Sequence, residues 1–132
     1  MSAHENFTLE WLRKADNDLK TARLVLAAED GPPDTTCFHS QQVVEKGLKA
    51  LLTHRSVHFS KTHSLQLLLD LLAIPELEKF RKSCIILSGY AVEARYPGDY
   101  DEPDREEAEQ AVNMASEIYD EILLHMKSEE SP

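Results

Sequence analysis

The residues best placed to do chemistry crowd into one stretch, Phe38-His39-Ser40-Gln41-Gln42-Val43-Val44-Glu45-Lys46-Gly47-Leu48-Lys49. Read as a helix, its stripe is Phe38, Gln41, Val44/Glu45, Leu48 and Leu51/Leu52, so Gln41 and Glu45 stand where the periodicity calls for apolar side chains. A carboxylate there is costly unless paired, and Lys49 lies four residues on, in the favourable order for a helical ion pair. Gly47 in mid-helix costs about 1 kcal/mol relative to Ala, a cost that makes sense where another backbone or a ligand comes close. Such violations of the local rules mark a functional or interface face; the plainer alternative is a solvated Glu45–Lys49 salt bridge. Lys46 and Lys49 offer point charge to a phosphate, and Arg95 offers a bidentate clamp. Tyr90 and Tyr96 would supply a stacking face beside it. Alternatively, Arg95 pairs with Glu45 or Glu93 and ties two helices together. His63 follows Thr62 at a helix start, where it either meets an anion or bonds a backbone group and fixes the loop.

Other chemistries find less support. Six histidines invite a metal reading, but no Cys-x-x-Cys or His-Glu-x-x-His frame accompanies them. Asp99, Asp101 and Asp104 imitate part of a calcium loop without its Gly and closing Glu in register. His39 lies two residues from Cys37 and points elsewhere on a helix, so it cannot activate that thiol. There is no Gly-rich phosphate loop and no Gly-x-Ser-x-Gly elbow. No metal and no catalytic residue is assigned.

The elements that must position these residues are helices. Trp11, Leu12, Ala15, Leu19, Ala22 and Leu26 recur at helical steps from about Thr8, a candidate N-cap, to Ala28; Arg13, Lys14, Asp16, Asp18 and Lys20 fall off that stripe. Gly31-Pro32-Pro33 ends this helix, Gly31 permitting a left-handed turn. The second runs from Asp34 or Thr35 to His54. Thr62 caps a short third helix bearing Leu65, Leu68, Leu69 and Leu72, and Pro75 starts a fourth with Leu77, Phe80, Cys84, Leu87 and Ala91 on one face. Asp104 with Glu107 makes a capping box for the last helix, whose face is Ala108, Ala111, Val112, Ala115, Ile118, Tyr119, Ile122 and Met126. The expected fold is all-α: an antiparallel bundle of four main helices plus a short fifth. One domain spans residues 1–127, with a frayed tail at 128–132.

Composition sets the outer limits. With 132 residues, 42% of them hydrophobic, the chain can bury a core without staples. Cys37 and Cys84 read as reduced core thiols. Met1 to Asn6 lack the basic and apolar regions of a signal peptide and no apolar run reaches membrane length, so the expected compartment is the cytoplasm. The net charge of −10 sits in the last third, where residues 96–132 hold twelve acids and two bases. That balance argues against general RNA or DNA binding. It suits a basic protein partner, while the mildly basic middle suits one small phosphate ligand.

Several of these segments together resemble the HEPN domains (higher eukaryotes and prokaryotes nucleotide-binding), in their small stand-alone prokaryotic form. Phe38-His39-Ser40-Gln41-Gln42 with Glu45-Lys46 and Leu48-Lys49-Ala50-Leu51-Leu52 resembles the signature helix. Lys61-Thr62-His63-Ser64-Leu65 is similar to the Thr-His-[Ser/Asp]-Leu element, and Ala94-Arg95-Tyr96-Pro97, preceded by Tyr90, to the Arg-Tyr-Pro element. Trp11-Leu12-Arg13-Lys14-Ala15 with Asp18-Leu19 and Ala22 is similar to the usual first helix. The resemblance implies a five-helix fold, commonly a homodimer, and a nucleotide-binding role with a ligand such as ATP. It also implies pairing with a minimal nucleotidyltransferase in a two-component, toxin–antitoxin-like system. Other members are metal-independent ribonucleases that use an Arg followed four to six residues later by His. Here Arg95 is followed by no His until His125. Since metal-free RNA cleavage needs a group titrating near neutrality, the expectation leans toward binding rather than catalysis. The candidate nucleotide-binding residues are Gln41, Glu45, Lys46, Lys49, His63, Tyr90, Arg95 and Tyr96. An atypical ribonuclease toxin using His63 as base, or a purely structural interaction module, is the alternative.

Overall fold

The computed structural model describes residues 2–91, 98 and 101–130. Among the described residues all regular structure is helical: α1 (Ala3–Ala27), α2 (Pro33–His54), α3 (Leu65–Leu72), a 3₁₀ turn (Pro75–Phe80), α4 (Arg81–Ser88) and α5 (Arg105–Glu130). Three helices are long and two are short. The expected fourth helix divides, since Pro75 opens a 3₁₀ turn that becomes α-helical only at Arg81. The last helix continues through Glu130, beyond Ser128 where the tail was expected to begin.

Contacts between the long helices set their directions. His4 Nε2 donates to the His54 carbonyl (3.0 Å) and Lys46 Nζ reaches Asp18 (2.6 Å), so α1 and α2 run antiparallel. Tyr119 bonds Asp16 and Arg23 bonds Ser116, so α5 is antiparallel to α1 as well. Consequently α2 and α5 run the same way: Gly47 lies against Tyr119 and Ile122, while Arg55 pairs with Glu129. The return pass that this requires is made by the 3₁₀ turn and α4. α2 is the central element, packed on α1, α5, α3 and α4. Its apolar residues Val43, Val44, Leu48, Leu51 and Leu52 are fully buried.

The helix ends correct several sequence expectations. Ser2, not Thr8, caps α1, its hydroxyl accepting from Glu5 N; Thr8 is buried inside the helix with its hydroxyl on the His4 carbonyl. Few apolar residues precede Leu9, so hydrophobic periodicity carried no signal for the first turns. Ser64 rather than Thr62 caps α3, and Thr62 instead accepts from Ser64 N. α3 ends on Ala73 in the left-handed region at φ 51°, a position where non-glycine residues are uncommon. Gly31 is needed for space, not for a left-handed φ: a Cβ there would lie 1.9 Å from the Val25 carbonyl oxygen. Asp104 caps α5 as expected, accepting from Glu107 N at 2.8 Å.

Candidate functional site

Because α2 is surrounded by other helices, the polar residues on its stripe are drawn into the interior. Gln41 is fully buried, with Glu45 and Lys49 nearly so. They form a ladder one helical turn per step. Lys49 Nζ donates to Glu45 Oε2 (3.0 Å) and Gln41 Nε2 to Glu45 Oε1 (3.1 Å), while Gln41 Oε1 accepts from Gln42 (2.7 Å). The segment between α2 and α3 folds back over this ladder. There, His63 Nδ1 donates to Glu45 Oε1 at 2.8 Å, and Gln41 Nε2 also reaches the His63 carbonyl at 3.3 Å. The Trp11 ring of α1 covers Lys49 Nζ at 5.4 Å and meets Phe59 at 6.4 Å, a cation–π arrangement that shields the ammonium from water.

The electrostatics follow from this geometry. Burial pushes the Glu45 carboxyl up, but hydrogen bonds from His63, Gln41 and Lys49, with the Lys49 charge, outweigh it and hold the group below its ordinary value. Glu45 is therefore an anion whose oxygens are all engaged. With Nδ1–H committed to that anion, His63 presents Nε2 on a side chain that is 68% exposed. A carboxylate holding one imidazole nitrogen fixes the ring orientation and leaves the other nitrogen facing outward. The plain expectation for His63 was a bond to a backbone group that fixes the loop. The loop is indeed tied down, by the Glu45 carboxylate on the ring and by Gln41 on the carbonyl.

The remaining candidates lie elsewhere. Lys46 faces α1, where its Nζ and His39 Nδ1 (2.8 Å) share the two oxygens of Asp18. Asp18, which fell off the expected stripe of the first helix, is buried. Its spacing from Ala15 and Ala22 was the available signal, masked by its polar type. Tyr90 donates to Glu107 (2.5 Å) and neighbours Cys37 at the start of α2, one turn before Gln41. Burial, and then the Glu107 bond, push its hydroxyl above the ordinary range. Burial likewise pushes both the Cys37 and Cys84 thiols up to about 12, so neither is a nucleophile. Arg95 and Tyr96 lie outside the described residues. Gly47 admits neither backbone nor ligand: a Cβ there would sit 3.1 Å from both Ile122 Cδ1 and Tyr119 Cδ1, so α5 occupies the space. Among the described residues no group of three or more His, Cys, Asp or Glu side chains could hold a metal ion, and no described helix is long and apolar enough to cross a membrane.

Trp11, Phe59, Gln41, Glu45, Lys49 and His63 thus come from the first helix, the second helix and the loop before the third, the segments on which a family resemblance rests. The family model described as HEPN domain matches residues 8–126. The chain belongs to the HEPN family. Two solved structures share its fold. The crystal structure of ST0689, an archaeal HEPN homologue, is 26% identical with a TM-score of 0.73, over 90% of this chain and 97% of that one. TT1696 from Thermus thermophilus is 30% identical with a TM-score of 0.70, over 87% of this chain and 94% of that one. No curated protein matches the chain at a significant level. In this HEPN domain the Thr-His-Ser-Leu element therefore sits directly on the polar ladder of the signature helix. Sequence separation conceals that contact, because His63 lies 18 positions after Glu45.

Proposed function

We propose that this HEPN domain is a binding module that receives the phosphate of a nucleotide such as ATP on the face where α2 meets the loop before α3. The observation that supports it is the Gln41–Glu45–Lys49 ladder ending on an exposed, oriented His63. Buried ionic groups contribute little net stability compared with apolar packing, so their presence on a core stripe is better explained by the imidazole they hold in place. Lys46 and Lys49 are already neutralised by Asp18 and Glu45. First contact with phosphate falls to His63, with Arg95 and Tyr96 as the further ligand residues and Tyr90 positioned at the start of α2. An open cleft of about 420 Å³ lined by His4, Thr53, Ser56, Val57, His58 and Phe59 lies earlier on the same loop, and His63 is not part of its lining.

The module acts by recognition in the cytoplasm, as a homodimer and with a minimal nucleotidyltransferase as partner in a toxin–antitoxin-like pair. Leu67 and Leu71 of α3 and Ile85 and Ile86 of α4 are exposed, which suits a protein contact on that side. A thermal-shift series with ATP, GTP, CTP and UTP, with and without magnesium, tests the nucleotide reading. A shift of several degrees at saturating ligand, lost in Arg95→Ala and in His63→Ala, is expected. A flat series would remove nucleotide binding and leave partner docking through the acidic α5. Cleavage of single-stranded RNA without metal, abolished by Arg95→Ala, would instead establish the ribonuclease alternative.

A further inference from the structure

The six histidines of this chain are not equivalent. His4 and His54 use Nε2, toward the His54 carbonyl and Glu129 respectively, and His125 uses Nε2 toward Glu121. His39 has Nδ1 on Asp18, but its side chain is only 22% exposed and its ring packs edge-on against Phe38. His58 is exposed, and no carboxylate among the described residues orients it. His63 alone combines an Nδ1 held by a buried carboxylate with a largely exposed ring. Glu45 is itself held by Gln41 and Lys49, so the imidazole stands on a rigid support rather than on a mobile side chain.

We propose that His63 is a phosphoryl-acceptor site, its exposed Nε2 oriented through Nδ1 by the buried Glu45 carboxylate so that it attacks the phosphorus of a small phosphoramidate or acyl-phosphate donor. In that step the Nε2 lone pair forms the new P–N bond. The bond from phosphorus to the donor's nitrogen or oxygen breaks, and its electron pair leaves with the amine or carboxylate. No oxidation occurs. The Nδ1 proton stays in place, and the positive charge that develops on the ring is met by Glu45 at 2.8 Å. Two features nearby favour the product dianion: the α3 N-terminus, which begins two residues on, and the exposed Lys61. This inference goes beyond nucleotide binding and stands without it, because the donor needs no nucleotide site.

The test uses the full chain treated with potassium phosphoramidate, with peptide mapping and NMR assignment of the phosphorylated nitrogen. His63 is expected to be labelled on Nε2, about tenfold faster than His58 in the same molecule. Glu45→Gln is expected to slow His63 by about tenfold while leaving His58 unchanged, in line with the loss usual for removing a carboxylate behind a functional imidazole. Equal labelling of His58 and His63 in the unmutated protein would overturn the proposal, and so would phosphate on Nδ1. That comparison needs no variant, so it stands even where Glu45→Gln folds poorly. A nucleotide thermal shift with no labelling of His63 would remove this inference and leave the binding reading intact.

Discussion

Two carboxylates on the α1–α2 side of the bundle have nearly the same partners and opposite settings. Asp18 and Glu45 each hold one lysine and one histidine through Nδ1. Around Asp18 the partners are both on α2, so the cluster joins two helices that already pack along their length. Around Glu45 the lysine is on the same helix, and the histidine comes from the loop between α2 and α3. The imidazole is mostly covered in the first case and mostly exposed in the second. The same chemical group therefore serves to fasten helices in one place and to present a ring nitrogen to solvent in the other.

The largest effect should come from stripping the deeper cluster. Lys49→Ala leaves Glu45 charged and buried, and removing one member of a buried pair typically costs about 3–5 kcal/mol. Lys46→Ala, at a side chain 21% exposed with His39 still on Asp18, is expected to cost about 1–2 kcal/mol. Urea unfolding of the two variants checks the order. An equal loss would mean that the clusters do not differ as described.

Acid should separate them next. Glu45 is held below its ordinary value of 4.5 in the folded chain, so the native state binds that proton more weakly than the unfolded one. Its contribution is complete above the unfolded value and is lost as pH falls through the lower folded value. Glu45→Gln should therefore flatten the acid limb of stability against pH, measured by thermal unfolding from neutral to acid pH. An acid limb unchanged by this substitution would contradict the assigned hydrogen bonding.

Gly47→Ala should have a smaller effect, about 1 kcal/mol destabilising. The helix propensity gained is about 1 kcal/mol, while overpacking costs about 1–3 kcal/mol. Tyr119 cannot easily yield, since its hydroxyl is bonded to Asp16 and the Leu12 carbonyl. A stabilised variant would show that α5 gives way. Smallest of all, native Cys37 and Cys84 should remain unalkylated by iodoacetamide at mildly alkaline pH and react only on unfolding. Rapid native labelling would contradict their burial.

Much of this arrangement was legible in the sequence, but unevenly. The helices and the buried status of Gln41 and Glu45 follow from periodicity, and Lys49 from its four-residue spacing. Lys46 was misplaced because one residue along a helix turns the side chain by about 100°, enough to carry it from the Glu45 face to α1. Asp18, His39, Trp11 and Phe59 were not assigned to either cluster, since pairing between distant segments leaves no local trace. The break of the fourth helix at Arg81 was also invisible, because Pro75 is equally compatible with an α or a 3₁₀ first turn. The Arg95-Tyr96 element, on which part of the expected site rests, lies outside the described residues.

The contrast between the two histidines is tested most directly by one thermal-shift experiment with saturating ATP and magnesium on the unmutated chain, His63→Ala and His39→Ala. The expected result is a stabilisation of several degrees that His63→Ala abolishes and His39→Ala retains, even though His39→Ala lowers the ligand-free melting temperature more. A ligand shift that survives His63→Ala and disappears in His39→Ala would contradict the assignment of the Glu45 cluster as the ligand-facing one.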